Sequence, residues 1–281
     1  MRTVRTVAEL REELRGAPRP VGLVPTMGAF HEGHLSLIRA ARQENETVVV
    51  SLFVNPTQFG PGEDLAAYPR DEQRDATLAD AEGTDIIFTP SADEVYPPDH
   101  QTYVVMDGIA TILEGSPDHR GPGHFKGVMT VVTKLLNMAQ PDRAYFGQKD
   151  AQQVLVIRKL VRDLNMPVEI RVCPIVRDKD GLALSSRNVY LSPPERERAL
   201  ALSRALSAAE EKVRTGSIDR ESVLAAARTE LDAAQIEPEY LELRSAEDLS
   251  PVERVNGSTL LAVAARVGNA RLIDNTMLGG T

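Results

Sequence analysis

Two histidines, His31 and His34, lie inside Pro25-Thr-Met-Gly-Ala-Phe-His31-Glu-Gly-His34, directly after the apolar run Val21-Gly-Leu-Val24. At a helix start this spacing of three turns both imidazoles the same way. A helix start also offers backbone N–H groups and the positive end of the dipole, which suits an anion. With Gly33 between them to admit a ligand close to the backbone, the pair suits a triphosphate better than a metal. Zinc fits poorly, because its helical motif is His-Glu-x-x-His and here the second histidine comes one residue early. A second block, Leu184-Ser-Ser-Arg187-Asn188, supplies two hydroxyls, backbone donors and a guanidinium, a set matched to phosphate oxygens. Together the blocks could hold the two ends of one nucleotide. The two commonest nucleotide cradles, Gly-x-x-x-x-Gly-Lys-Ser/Thr and Gly-x-Gly-x-x-Gly, are both absent. Taken singly, each block reads equally well as a surface turn or a cap; the weight lies in their combination.

The elements that must position these residues alternate in period. Val21–Val24 reads as a buried strand and Gly33–Glu44 as a helix, with Leu35, Leu37, Ile38 and Ala41 on one face. Thr47–Val54 is a β-branched strand ended by Asn55-Pro56, Asp71–Glu82 a helix, and Asp85–Phe88 a short strand. A helix over Phe125–Asn137, a strand at Ala144–Phe146, a helix over Asp150–Asn165 and a strand at Val168–Val172 follow. Strands alternating with helices predict an α/β fold, a parallel sheet with helices on both faces. Near Val176 the pattern changes. Arg177–Gly181 reads as a hairpin turn, and Ser192-Pro-Pro-Glu195 as a capped helix start for a helix reaching Arg214. A helix over Asp219–Ala234 and strands at Glu239–Arg244, Thr259–Val267 and Arg271–Asp274 complete a smaller C-terminal α+β domain. The expected boundaries are 1–175 and 176–281.

In an open parallel sheet, ligands bind outside the carboxyl ends of the strands. Polar clusters fall there three times: Pro25–His34, then Asn55-Pro-Thr-Gln58-Phe59, then Gly147-Gln-Lys149-Asp150-Ala-Gln-Gln153. The carboxamides of the second can donate to or accept from a carboxylate or hydroxyl. In the third, Lys149 and Gln153 are one helical turn apart. Any one of these reads as an ordinary polar loop; three at strand ends of one sheet make that reading weak.

Five segments in register, Pro-Thr-Met-Gly-x-x-His-x-Gly-His (25–34), Phe-Val-Asn-Pro-x-Gln-Phe (53–59), His-Phe-x-Gly-Val (124–128), Tyr-Phe-Gly-x-Lys-Asp-x-Gln-Gln (145–153) and Leu-Ser-Ser-Arg-Asn (184–188), resemble the pantothenate synthetase (pantoate–β-alanine ligase) family. That family sits in the His-x-Gly-His nucleotidyltransferase superfamily, and the resemblance covers essentially the whole chain. It implies a Rossmann-like first domain, a C-terminal domain acting as a mobile lid, and an ATP-dependent ligation of pantoate with β-alanine through a pantoyl-adenylate. Carried over residue by residue, it puts Pro25, Thr26, Met27, Gly28, Ala29, Phe30, His31, Glu32, Gly33 and His34 along ATP, with His34 as proton donor. Gly147, Gln148, Lys149 and Asp150 contact the nucleotide, Asp150 at the ribose and Lys149 at the phosphates. Val176 flanks adenine, and Leu184, Ser185, Ser186 and Arg187 form a phosphate-binding loop with Arg187 as its cation. Gln58 and Gln153 hold pantoate, Gln58 also nears β-alanine, and Asn55, Tyr68 and His124 border the pocket. His34, His31, Lys149 and Arg187 are thus the expected catalytic set. Two departures stand out. Gln148 replaces a glutamate common in relatives, and Arg74-Asp75 replaces a pair of acidic residues. Asp75 is therefore a weak expected ligand for Mg²⁺, which ATP oxygens and water would hold in the main.

The bulk numbers are ordinary for a soluble globular protein. The 281 residues allow one large or two ordinary domains. A net charge of −9 with no basic run argues against a nucleic-acid partner. A single cysteine, Cys173, excludes an internal disulfide and reads as core. No apolar stretch is long enough to span a bilayer or act as a leader, so the cytoplasm is expected. Homodimerisation is an implication of the resemblance. Two rivals remain: another adenylyltransferase of the superfamily, which would transfer AMP intact, and a nucleotide-binding regulatory module without turnover. The second has no need of His34, Lys149 and Arg187 together.

Overall fold

The computed structural model describes residues 1–279. Its first elements are β1 (Arg2–Val4), α1 (Val7–Leu14), β2 (Val21–Thr26), α2 (Glu32–Glu44), β3 (Thr47–Leu52), α3 (Glu72–Ala81), β4 (Ile86–Phe88), α4 (Ala92–Val95), α5 (Pro122–Ala139), β5 (Arg143–Gly147), α6 (Ala151–Asp163) and β6 (Glu169–Cys173). The six strands form one sheet in the order β1-β4-β3-β2-β5-β6, and every pairing is parallel. The aliphatic runs of β2 and β3 are buried because a parallel sheet is covered on both faces.

From β2 the chain steps through α2 to β3 and through α3 to β4, in one direction across the sheet. From β5 it steps through α6 to β6, in the other. Right-handed crossovers therefore place α2 and α3 on one face and α1, α5 and α6 on the other, and α2 touches α3 while α1 touches α5. The direction reverses between β2 and β5. This is the switch point beside which such sheets bind ligands, at the carboxyl ends of the strands.

By compactness the chain divides into two units. One comprises residues 1–148 and 152–174, the other 149–151 and 175 onward. The second unit holds α7 (Pro193–Arg214), α8 (Arg220–Ala233) and an antiparallel sheet of β7 (Pro238–Ser245), β8 (Thr259–Val267) and β9 (Ala270–Leu278). Its core joins Leu202 and Leu206 of α7, Val223 and Leu231 of α8, and Leu261 and Val263 of β8. Ser192 and Glu195 form the expected capping box at the start of α7.

The sequence pattern misses β1 and α1. Only one residue of β1 is buried, so no alternation is visible. α1 did carry a start signal: Thr6 and Glu9 make a capping box. Residues 149–151 group with the second unit despite preceding 175, because Asn275 Nδ2 of β9 donates to the Lys149 carbonyl at 2.9 Å. Lys149 also lies outside α6, in a 3₁₀ turn over Gln148–Asp150.

Candidate functional site

Within the first unit the site grows from the ends of β2 and β3. After Thr26 the chain turns through Gly28 at φ +86° and Ala29 at φ +53°. At this positive φ glycine is the residue that fits without strain, and a Cβ would also press on Leu52 Cδ1 at 2.7 Å and Asp75 Oδ2 at 3.0 Å. The turn points two backbone N–H groups inward, and Asp75 receives them: Ala29 N–H donates to Oδ2 at 2.7 Å and Phe30 N–H to Oδ1 at 2.8 Å. Arg74 Nη1 donates to the Phe30 carbonyl at 3.1 Å. Asp75 is 1% exposed. The residue expected as a metal ligand thus has another job. Its carboxylate is the anion on which the loop is built, and each oxygen is already engaged by a backbone donor.

His31 is the N-cap of α2. Its Nδ1 accepts the Gly33 N–H at 3.1 Å, which requires a lone pair on Nδ1 and assigns the ring proton to Nε2. His31 therefore presents an N–H donor on its outer edge. His34, one turn along, stacks on it with centroids 4.2 Å apart. The pairing of imidazoles follows the expected spacing, but the open backbone donors do not. Gly33, Ala29 and Phe30 spend their N–H groups inside the loop.

The second strand end is organised around Asn55, which caps a 3₁₀ turn over Pro56–Gln58. Asn55 Nδ2 donates to Gln58 Oε1 at 2.9 Å and to the Gly127 carbonyl at 3.2 Å. Gln58 Nε2 points at Met27 Sδ, 3.1 Å away, so the two strand-end loops meet here. His124 Nδ1 lies 3.0 Å from the Gln58 carbonyl, and its Nε2 lies 3.0 Å from Arg120 Nη1. Burial first, and then the Arg120 charge, push the His124 imidazole down to about 4. Neutral His124 donates at Nδ1 and accepts at Nε2. Arg120 in turn grips both carboxylate oxygens of Glu63. Tyr68 is buried edge-on against Phe59, with ring centres 6.0 Å apart.

Gly127 explains the third motif. A Cβ there would lie 2.4 Å from the Thr57 carbonyl oxygen and 2.5 Å from Gln58 N, so only glycine lets α5 carry the turn that holds Gln58. Gln153 sits half-buried on α6, whereas its neighbour Gln152 is buried and structural. The Gln152 amide donates to the carbonyls of Ile109 and Ile112 and accepts the Glu114 N–H.

In the second unit, Leu184 N–H donates to the Val176 carbonyl at 3.0 Å across the hairpin. Ser185 Oγ caps a 3₁₀ turn over Ser186–Tyr190 by accepting Arg187 N–H at 3.3 Å. Val176, Leu184, Ser185 and Arg187 are thus joined by short backbone links. Lys149 Nζ lies 3.9 Å from Asp150 Oδ1.

The family model for pantoate–β-alanine ligase matches residues 1–277. The chain belongs to that family. It is 53% identical over 279 residues to the pantothenate synthetase of Roseiflexus castenholzii, covering 99% of both chains. It is equally 53% identical over 283 residues to that of Thermotoga petrophila, covering 99% of this chain and 100% of the relative. Among solved structures, the pantothenate synthetase of Thermus thermophilus superposes with a TM-score of 0.93 at 49% identity, covering 99% of this chain and 100% of the other. The pantoate–β-alanine ligase of Francisella tularensis, solved with β-γ ATP and β-alanine, superposes at 0.81 with 35% identity, covering 99% and 97%. Sequence reading missed Tyr96, Thr57 and Gln152 as members of the polar framework. Gln152 and Thr57 lay within the motif spans, Thr57 at an unspecified position, while Tyr96 lay outside all of them. No helix among the described residues is long and apolar enough to cross a membrane.

Proposed function

We propose that the chain joins pantoate to β-alanine at the expense of ATP. The pantoate carboxylate oxygen attacks the α-phosphorus, the bond to the β-phosphate oxygen breaks, and pyrophosphate leaves. The amine of β-alanine then attacks the acyl carbon of the pantoyl-adenylate. The bond to AMP breaks, and the nitrogen loses its proton as the amide of pantothenate forms. No protein nucleophile is needed, so the protein's task is to orient two anions and offset charge on the leaving group. Cys173 is buried and is left out of the chemistry.

The observation that carries this reading is the meeting of Gln58 with Met27, which brings a carboxamide donor from the end of β3 to the histidine-bearing loop at the end of β2. On this reading Gln58 and Gln153 hold pantoate, while His31 and His34 face the phosphates. Lys149 and Arg187 are the cations for the triphosphate, Asp150 takes the ribose and Val176 the adenine. Asn55, Tyr68 and His124 support the pantoate side and do not touch the reacting atoms. Magnesium enters as part of the nucleotide, held by phosphate oxygens and water in its usual manner. Among the described residues no group of three or more His, Cys, Asp or Glu side chains could hold a metal, and Asp75 is engaged by the loop, so no step is routed through a protein-bound ion. The reading includes a cytoplasmic homodimer, which light scattering and fractionation check.

The test is ATP–pyrophosphate exchange with pantoate alone, followed by mass detection of pantothenate and AMP once β-alanine is added. Exchange without β-alanine supports a separate adenylate. Exchange only in the presence of β-alanine, or a product retaining AMP, overturns the reading.

A further inference from the structure

Tyr96 lies outside every motif in the sequence, just before Pro97-Pro98, yet its hydroxyl reaches the centre of the polar framework around Gln58. It donates to Asn55 Oδ1 at 2.9 Å. The same oxygen accepts from Thr57 Oγ1 at 2.9 Å and from Thr57 N–H at 3.4 Å. A backbone N–H can only donate, so this end of the Asn55 amide is the oxygen. The other end meets the Gly127 carbonyl, which can only accept, and is therefore the NH₂. Two groups of unambiguous sense thus agree on how Asn55 lies.

The consequence passes to Gln58. Its amide atom 2.9 Å from Asn55 Nδ2 must be the carbonyl oxygen. Its NH₂ is then turned away from Asn55 and toward the Met27 thioether, a weak acceptor. Asn55 is 1% exposed and Gln58 8%, so reversing either amide would leave buried donors facing donors, and each such mismatch is costly. Tyr96 itself is held with its ring against Phe53, centroids 6.3 Å apart, and edge-on to His100 at 5.0 Å. Burial raises the Tyr96 hydroxyl above the usual phenol value, which keeps it a donor throughout the physiological range.

We propose that Tyr96 is a positioning residue: through Asn55 it holds the Gln58 amide so that an anionic or hydroxylic substrate meets N–H hydrogens and never the Gln58 carbonyl oxygen. The inference rests on the reading that Gln58 binds pantoate. It adds the polarity of that contact, whose sense the Thr57 N–H and the Gly127 carbonyl fix, and the residue that braces it. A reversed amide would place an oxygen against the acceptor-only carboxylate of pantoate, exchanging an attraction for a repulsion.

The experiment is steady-state kinetics on Tyr96→Phe, Asn55→Asp and Gln58→Ala, and on the two double variants that combine the first two with Gln58→Ala, each beside a melting curve. Tyr96→Phe keeps the ring and removes only the donor; KM for pantoate should rise about threefold to tenfold, the loss of one hydrogen bond, with KM for ATP within about twofold of the parent. Asn55→Asp replaces the NH₂ with oxygen and draws the Gln58 NH₂ inward. KM for pantoate should rise on the order of a hundredfold, as when a buried polar contact is turned against its ligand. In the Gln58→Ala background both effects should vanish, because no amide remains to be oriented. If Tyr96→Phe multiplies the KM of Gln58→Ala by the same factor as it does the parent's, Tyr96 is merely structural and the proposal fails. Should Asn55→Asp not fold, the Tyr96→Phe cycle decides alone. If Gln58→Ala leaves KM for pantoate unchanged, the assignment of Gln58 to pantoate falls, and the polarity argument with it.

Discussion

His124 Nδ1 donates to the Gln58 carbonyl oxygen across 3.0 Å, joining the first turn of α5 to the residue assigned to pantoate. Nδ1–H can serve this contact in either charge state, but Nε2 receives the Arg120 guanidinium and needs the neutral ring. A proton added at Nε2 would face that cation inside the protein.

Stability should therefore depend on pH through His124. Its imidazole is lowered to about 4 in the folded chain, from 6.5 in the unfolded one. Below 6.5 the unfolded state binds the extra proton first, so stability present above 6.5 is lost as pH falls toward 4. The contribution is up to ~3 kcal/mol. His124→Asn keeps a donor for the Gln58 carbonyl and cannot titrate. Denaturant melts of both proteins from about pH 7 to about pH 4, the window over which the two states differ in bound protons, should show a shallower decline for the variant; equal slopes would remove His124 as the cause.

How much of this was legible in the sequence depends on the kind of signal. The alternation of strands and helices, and the strand-end placement of Pro25–His34 and Asn55–Phe59, could be read because burial and period leave a local trace. The reason for Gly127 could not. It lies in a carbonyl seventy residues earlier in the chain, which would stand 2.4 Å from any Cβ placed there and which no local pattern records. Asp75 was visible as an acid, but its hold on the loop was not, because that loop closes forty-five residues upstream. Tyr96 left no trace at all. A single hydroxyl reaching Asn55 has no periodicity and no motif spacing, only a fold that delivers it.

Asp75→Asn should loosen the nucleotide loop without changing the requirement for magnesium. The amide offers one acceptor where two backbone donors converge, so one buried N–H is left facing an NH₂, at a cost of about 1–3 kcal/mol. The melting temperature should fall, and KM for ATP should rise. The Mg²⁺ concentration for half-maximal rate at fixed ATP should stay within about twofold of the parent. A raised Mg²⁺ requirement at unchanged melting temperature would return Asp75 to the metal.

The two histidines should separate by experiment. His34→Ala is expected to lower the adenylation rate by about two to four orders of magnitude, the range for a positioned proton donor or transition-state contact. ATP binding should weaken far less; an equal loss in both would mark a ground-state contact. His31→Asn supplies another good N-cap to α2, so its melting curve should match the parent within about half a kcal/mol. Its adenylation should still fall, because the Nε2–H donor is gone. Normal turnover by His31→Asn would confine His31 to capping.

Arg187 tests the phosphate reading of the second unit. It stands in the turn over Ser186–Tyr190, where the Ser185 hydroxyl accepts its backbone N–H and the side chain plays no part in that cap. Truncating the side chain leaves that backbone cap in place, so the turn should keep its fold. If the guanidinium serves the triphosphate, Arg187→Ala slows single-turnover pyrophosphate release by about two orders of magnitude or more, since it removes a charge that neutralises the leaving group. Arg187→Lys should recover part of that rate, because the charge returns without the planar fork that engages two oxygens at once. Near-normal adenylation by Arg187→Ala, beside an unchanged melting curve, would exclude this turn from the chemistry and leave Lys149 as the cation to test next.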